Sequence, residues 1–92
     1  MDDTLCPKTR EDLICEELDG EIIIYDPLTA LTHRLNQSAA FVFLLCDGKT
    51  SIGKIKELYQ RSFRLSVDAA DRDVRFVSEN LQKGLIISAG GR

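Results

Sequence analysis

Residues 31–48, which read LTHRLNQSAAFVFLLCDG, carry in direct succession the signals of a strand, a helix start, a buried helix and a helix stop. Leu31–Leu35 alternates apolar and polar residues for most of its length, as a half-buried strand does. Asn36 is a favoured N-cap, because its side-chain oxygen can accept a hydrogen bond from a first-turn amide. Residues 37–46 are apolar nearly all round, which predicts a buried helix that Asp47-Gly48 ends.

Two short β-branched segments, residues 13–18 and 21–25, come before this region and are separated by Asp19-Gly20. A two-residue Asp-Gly loop is a strong hairpin signal, because the type I′ turn needs positive φ at both positions. The turn would place Cys15 opposite Ile24. Together with the strand described above, the hairpin predicts a three-stranded antiparallel meander whose last strand has a free outer edge.

The rest of the sequence predicts two further helices from their N-caps and from apolar residues at helical spacing. Thr50 or Ser51 caps the first, which runs to about Arg61. Ser66 caps the second, which runs to about Lys83, and a short terminal strand or apolar tail follows. This order predicts an α+β, winged-helix-like domain, in which an N-terminal three-stranded antiparallel meander is followed by three helices.

The 92 residues of the chain are enough for one domain. Residues 1–10 carry no periodicity and are expected to form a flexible N-terminal arm. Residues 11–88 are assigned to the folded domain. The glycine-rich residues 89–92 are expected to be a frayed tail.

Composition and charge exclude several classes of function. The net charge is −3 with acidic and basic residues interleaved, so the chain lacks a cationic stripe that could follow a nucleic-acid backbone. No apolar run approaches the roughly 20 residues that a membrane-spanning helix needs. The first residues are acidic and lack an apolar signal segment. We therefore expect a cytoplasmic protein that binds neither nucleic acid nor a membrane.

Residues capable of catalysis or metal binding are sparse. The three cysteines, Cys6, Cys15 and Cys46, form no Cys-x-x-Cys pair, whereas a zinc site needs about four clustered Cys or His ligands. The single histidine, His33, lies on a predicted strand and is expected to pack there or line a groove rather than act as a base. We expect no catalytic residue, no metal and no cofactor, and the chain is predicted not to be an enzyme.

The order of helices and strands leaves a winged-helix DNA-binding regulator as the alternative function. The N-terminal half of the third helix, where base contacts are expected, carries Asp68, Asp71 and Asp73 against Arg72 and Arg75. Carboxylates that face phosphates would be repelled, whereas they suit a helix N-terminus, where the macrodipole favours negative charge. The charge pattern therefore argues against DNA.

Peptide capture fits the predicted layout better, because the strand Leu31–Leu35 leaves a row of backbone N–H and C=O groups without partners. An extended peptide can pair with such a row through main-chain hydrogen bonds. The third helix offers the other wall of a groove, with Asp73, Phe76 and Asn80 on one flank of its core stripe. Two competing interpretations stand: a helix or a dimer partner covers the edge, and Phe76 merely widens the core stripe.

Several motifs resemble those of PqqD-like proteins, a family that supplies small recognition domains for precursor peptides. The clearest are LNQSA at residues 35–39 and CDG at residues 46–48. The hairpin ahead of them, TSIGKI at residues 50–55 and KGLI at residues 83–86 also resemble the family. The likeness extends over residues 9–87, and the order and spacing of the motifs carry it.

The resemblance implies a non-catalytic peptide chaperone that binds the leader segment of a ribosomally made precursor peptide. It also implies a partner modifying enzyme, commonly a radical-SAM protein, in pyrroloquinoline quinone (PQQ) biosynthesis or another modified-peptide pathway. The leader would add a strand beside the third strand of the meander, against the third helix; an open edge also allows a homodimer. The expected peptide-binding residues are Leu31, Thr32, His33, Arg34, Leu35, Asp73, Phe76, Val77 and Asn80. Of these, Asn80 stands where a more apolar residue is usual.

Overall fold

The computed structural model describes residues 2–88, which form an α+β domain of five strands and three helices. In chain order these are β1 (Lys8–Thr9), β2 (Ile14–Leu18), β3 (Glu21–Asp26), β4 (Leu31–Leu35), α1 (Gln37–Leu44), α2 (Ile52–Phe63), α3 (Val67–Lys83) and β5 (Ile87–Ser88). The predicted fold class, a three-stranded meander followed by three helices, is confirmed. None of the helices in this part of the chain is long and apolar enough to cross a membrane.

The meander is an antiparallel sheet in the order β2-β3-β4. Asp19 and Gly20 both have positive φ, 53° and 81°, which is the backbone that a type I′ turn requires. This turn sets the register and places Cys15 opposite Ile24, as predicted. In the second pairing, His33 of β4 lies opposite Ile24.

One face of this sheet lies against the helices. Ile22 and Ile24 of β3 are fully buried there, and Leu35 of β4 is buried beside them. Helix α1 packs on β3 and β4, whereas the residues of β2 are all exposed. The hydrophobic core is therefore centred under β3, and the β2 strand projects beyond the helical layer.

Helix α1 begins where the sequence predicts, since Asn36 accepts a hydrogen bond from the Ala39 amide at 2.9 Å. It ends at Leu44, two residues before the predicted end at Cys46, and it is not buried on every side. Leu44 itself is 59% exposed, because it lies on the last turn, where no described element covers it. Buried residues of α1 are Ala40, Val42 and Phe43.

The two longer helices are amphipathic, and each is capped by a serine found in the sequence. Ser51 accepts from the Lys54 amide and Ser66 from the Ala69 amide, both at 3.1 Å. Between α1 and α2, the rings of Phe41, Tyr59 and Phe63 form an aromatic cluster with centroids 4.6 to 6.0 Å apart. Edge-on and tilted ring contacts of this kind stabilise a core beyond simple burial.

Residues 2–10 are held against the domain, in contrast to the flexible arm expected at residues 1–10. The carbonyls of Asp3, Leu5 and Pro7 accept hydrogen bonds from the amides of Gly53, Ile52 and Gly48, at 2.8 to 2.9 Å. These hydrogen bonds hold the segment along the start of α2 and the loop before it. Strand β1 then pairs antiparallel with β5. This pairing could not be predicted from the sequence, because a two-residue strand has no periodicity to read. The expected frayed tail at residues 89–92 lies outside the described residues.

A buried ion pair fixes the end of this segment to the meander. The guanidinium of Arg10 donates to both carboxylate oxygens of Asp26 at 2.8 Å, and Asp26 is fully buried. Arg10 also donates to exposed Asp12. Hydrogen bonding from Arg10 holds the pKa of Asp26 well below its usual range, with a further contribution from the Leu28 amide.

Candidate functional site

A groove with a volume of about 320 Å³ lies where the end of β4 meets the start of α1 and one flank of α3. Its lining residues come from four elements and one cap: Leu35, Asn36, Ser38, Ala39, Tyr59, Asp73, Phe76, Val77, Asn80 and Leu81. This set brings together the predicted residues Leu35, Asp73, Phe76, Val77 and Asn80. It does not include Leu31, Thr32, His33 or Arg34, which lie farther back along the β4 edge.

Helical periodicity explains the α3 wall of the groove. Asp73, Phe76 and Asn80 are three and four positions apart and therefore share one flank of the helix. Phe76 is 67% exposed and stands at the rim, whereas neighbouring Val77 is half-buried against the core. The competing interpretation, that Phe76 merely widens the core stripe, does not hold, because its side chain is mostly exposed and lines the groove.

One end of the groove is polar. The hydroxyl of Tyr59 donates to Asp73 Oδ2 at 3.3 Å. Burial raises the pKa of Tyr59, and the neighbouring Asp73 carboxylate raises it further, against an opposing hydrogen bond from Ser38. The phenol is therefore neutral at physiological pH, and its one hydrogen is directed to Asp73. In addition, Asn80 carries a side-chain amide with no hydrogen-bond partner among the described residues.

Sequence reasoning missed half of this lining, namely Asn36, Ser38, Ala39, Tyr59 and Leu81. Asn36 had been assigned a capping role, and it has that role as well as lining the groove. Tyr59 lies on the core stripe of α2, where an aromatic residue is expected anyway. Its hydroxyl was the available signal, since a buried tyrosine usually directs that group to a polar partner.

The outer edge of β4 is open: within residues 2–88, β4 pairs with β3 and with no other strand. The turn at the β2–β3 hairpin joins Leu18 to Glu21, so we expect this to be a hydrogen-bonded pair. Along an antiparallel pair of strands, hydrogen-bonded residue pairs alternate with pairs that are not hydrogen-bonded. Successive residues of the central strand β3 therefore direct their backbone groups to β2 and to β4 in turn. By this alternation Leu31, His33 and Leu35 bond to β3, so the amides and carbonyls of Thr32 and Arg34 should point outward.

Side chains of β4 alternate between the two faces of the sheet. His33 and Leu35 lie on the helix-facing side with Ile24. His33 reaches the C-terminal end of α3, and its Nε2 is buried without a hydrogen-bond partner among the described residues. On the opposite face, Arg34 donates from Nε and Nη2 to Glu21 Oε1 at 3.0 and 2.8 Å. Arg34 can thus contribute backbone groups to a ligand at the edge while its side chain stays on the outer face.

Metal-binding and nucleophilic groups are not gathered at this groove. The described residues contain no group of three or more His, Cys, Asp or Glu that could hold a metal ion. The thiols of Cys6, Cys15 and Cys46 are all free. Burial, followed by the Asp47 charge, raises the pKa of Cys46 to about 12, and this thiol donates to the Val42 carbonyl. It is therefore a packing residue and a poor nucleophile.

An open strand edge beside a helix-lined groove is the arrangement by which a class of small domains binds extended peptides. Comparison with protein families matches residues 21–86 to coenzyme PQQ synthesis protein D (PqqD). The chain belongs to the PqqD family, as the sequence motifs predicted.

The fold is also similar to that of a solved structure described as TbiB1 in complex with the TbiA(beta) leader peptide. The TM-score is 0.80, with 13% sequence identity, and the match covers 92% of this chain and 99% of that chain. At this identity the likeness establishes the fold alone. Comparison with curated proteins gives no match.

Proposed function

We propose that this protein is a non-catalytic chaperone that binds the leader segment of a ribosomally made precursor peptide and presents it to a modifying enzyme. The observation that carries the proposal is the open edge of β4 beside the groove on α3. Natural sheets usually blunt or cover such edges unless a partner uses them. The β4 strand contains no proline, and its only charged residue is Arg34, so its edge is not blocked in this way.

The leader would enter as a fourth strand of the sheet. Its backbone would exchange hydrogen bonds with Thr32 and Arg34, the residues whose amides and carbonyls are expected to point outward. Leader side chains opposite His33 and Leu35 would then project toward the helices, into the groove beside Phe76. Main-chain pairing supplies affinity in this mode, and the pockets for alternate side chains supply specificity. Apolar side chains suit the Leu35 and Phe76 walls, and a hydrogen-bonding group suits Asp73 at the polar end.

The comparisons support this proposal. TbiB1, whose fold is similar, is described in complex with a leader peptide. Membership of the PqqD family, whose description names coenzyme PQQ synthesis, supports a role in PQQ-type or other modified-peptide biosynthesis. The modifying enzyme, commonly of the radical-SAM type in the resemblance described above, is part of the proposal. A peptide chaperone of this kind needs no catalytic group of its own.

Hydrogen exchange of individual amides tests the binding edge directly. The ligand is the leader segment of a short peptide whose gene is found beside the gene for this chain, and a scrambled leader is the control. We expect binding of about micromolar affinity, about −8 kcal/mol. Amide exchange at Thr32 and Arg34 should slow on binding. The amides of His33 and Leu35, which pair with β3, should be protected before the peptide is added.

Two outcomes would reject the proposal. If the leader binds but slows exchange only outside β4 and the groove, the site is elsewhere. If the leader fails to bind while duplex DNA binds with a salt dependence equivalent to several phosphate contacts, the regulator is favoured instead.

A further inference from the structure

The second free edge of the sheet lies on β2. Among residues 2–88, this strand pairs with β3 and with no other strand. All of its residues are exposed, so neither face is covered by a helix. Its apolar side chains are exposed as well, Ile14 by 62% and Leu18 by 58%. An uncovered strand with exposed apolar side chains is a site where another chain can add to the sheet.

Charge along β2 is entirely negative. Glu16 and Glu17 lie in the middle of the strand and Asp19 lies in the turn that follows, all exposed. No ion pair to any of the three occurs within the described residues. Other carboxylates nearby are compensated, since Glu11 pairs with Lys8 and Asp12 pairs with Arg10. The edge therefore presents unbalanced negative charge beside apolar side chains.

The register indicates which backbone groups of β2 are available. Leu18 and Glu21 flank the two-residue turn and should form a hydrogen-bonded pair. Because these pairs alternate, the amides and carbonyls of Cys15 and Glu17 should point outward, away from β3. An added strand would hydrogen-bond to these two residues.

We propose that β2 is a docking edge for an extended, basic segment of a partner protein. This segment adds to the sheet as a strand beside β2, at the edge opposite the β4 edge that binds the leader. Lysine or arginine side chains of that segment would lie opposite Glu16 and Glu17, and cross-strand pairs of opposite charge stabilise a sheet. A second copy of this chain is the poorer occupant. Antiparallel pairing of β2 with its own copy centred on Glu16 or Glu17 would bring a carboxylate opposite its own copy, and like charges directly opposite are destabilising.

The two edges can be occupied together. Strands β2 and β4 lie on either side of β3, and adjacent strands are about 4.8 Å apart, so the edges are separated by about 10 Å. Binding at β2 does not depend on the leader and goes beyond the proposed function. If both edges are used, one domain holds a leader and a second protein at the same time.

A designed peptide tests this edge. The probe is an end-capped peptide of about seven residues with two adjacent lysines flanked by Val and Thr, so that one lysine lies on each face of the sheet, and it is long enough to pair along β2. Added to the isotope-labelled full chain, it should shift the amides of Cys15 and Glu17 saturably and slow their exchange. Raising the ionic strength from about 0.02 M to about 0.3 M should weaken the binding, since exposed charges are screened.

Matched variants separate this edge from general electrostatic attraction. Glu17→Lys should weaken probe binding about fivefold or more, because it replaces attraction by repulsion at the edge. Glu79→Lys makes the same charge change at an exposed position on α3 that has no ion pair within residues 2–88, and it should leave probe binding nearly unchanged. Neither variant should alter leader binding at β4.

Three results would overturn the inference. The first is an equal response to a control peptide with Glu in place of Lys. The second is an equal loss of binding in Glu17→Lys and Glu79→Lys. The third is a set of shifts confined to Thr32 and Arg34, which would place the probe on the leader edge instead.

Discussion

Ser78 and His33 each bury a polar atom that has no hydrogen-bond partner within residues 2–88. Ser78 is fully buried on the core side of α3, where a hydroxyl has no packing advantage over a methyl group. His33 lies on the inner face of the edge strand, near the end of α3. Because an unpaired buried polar atom costs stability, these two positions differ from the rest of the core.

Ser78→Ala should raise the free energy of unfolding by about 1 kcal/mol. The change removes an unpaired buried hydroxyl and adds helix propensity. Urea denaturation of both proteins measures the difference. Ser62→Ala, at an exposed position on α2, is the control and should show the propensity gain alone. A destabilised Ser78→Ala protein would mean that the hydroxyl is hydrogen-bonded in solution.

Phe41 and Leu44 should respond differently to truncation, although the apolar run that contains them predicts burial for both. Phe41→Ala should cost about 2–4 kcal/mol of unfolding free energy, because it removes a ring packed on Tyr59 and Phe63. Leu44→Ala should cost less than about 1 kcal/mol, since that side chain is mostly exposed. Equal losses in thermal or urea unfolding would contradict this difference.

At the level of single elements, β4 combines two roles in alternating residues. Leu31, His33 and Leu35 are expected to bond to β3, and Thr32 and Arg34 to present their backbone groups outward. Proline substitution distinguishes the two sets, because proline removes one amide donor.

Thr32→Pro should weaken leader binding about fivefold to tenfold while the domain still folds, since one outward hydrogen bond is lost. His33→Pro is the matched control, and it should disrupt the β3–β4 ladder and destabilise the whole domain. Calorimetric titration reports binding, and circular dichroism reports folding. The edge assignment fails if Thr32→Pro unfolds the protein or binds the leader with unchanged affinity.

Helices and strands that are marked by a nearby turn or cap residue could be predicted from the sequence. Strands that form only by pairing with a distant part of the chain could not. The Asp19-Gly20 turn and the caps Asn36, Ser51 and Ser66 each act within a few residues, so the sequence located the meander and all three helices. The β1–β5 pair joins residues at opposite ends of the chain and leaves no local pattern.

The lining of the groove was likewise predictable in part. Helical spacing on α3 placed Asp73, Phe76 and Asn80 on one flank, and the structure brings all three to the groove. The contributions of Tyr59 and Ser38 depend on how α1 and α2 pack, which no periodicity in a single segment can give. A sequence can thus predict one wall of a site while the opposite wall requires the tertiary structure.

For the molecule as a whole, Arg10 connects parts of the chain that are far apart in sequence. Its guanidinium donates to Asp26 of the meander and to the carbonyl of Leu85 beyond α3. The segment before it contacts the start of α2 through main-chain hydrogen bonds. Stability of the domain therefore depends on a charge pair whose carboxylate is buried.

The pH dependence of unfolding should reveal this pair. Since the folded pKa of Asp26 is depressed, its contribution is fully present above the ordinary aspartate pKa of about 4 and is lost as the pH falls toward the folded value. Wild-type stability should thus decline below about pH 5, and Asp26→Asn should start lower and decline less steeply. Asp19→Asn, at an exposed turn position that favours asparagine, should keep the wild-type slope. Identical slopes for wild type and Asp26→Asn would refute the assignment.

The helices that line the groove, α2 and α3, also pack into the hydrophobic core, where Tyr59 and Val77 hold them in place. Little of the domain has to become ordered when a peptide arrives, so the loss of conformational freedom falls on the peptide. Related peptides should then associate at similar rates and differ mainly in how long they stay bound. Discrimination among candidate precursors would accordingly appear in dissociation rates.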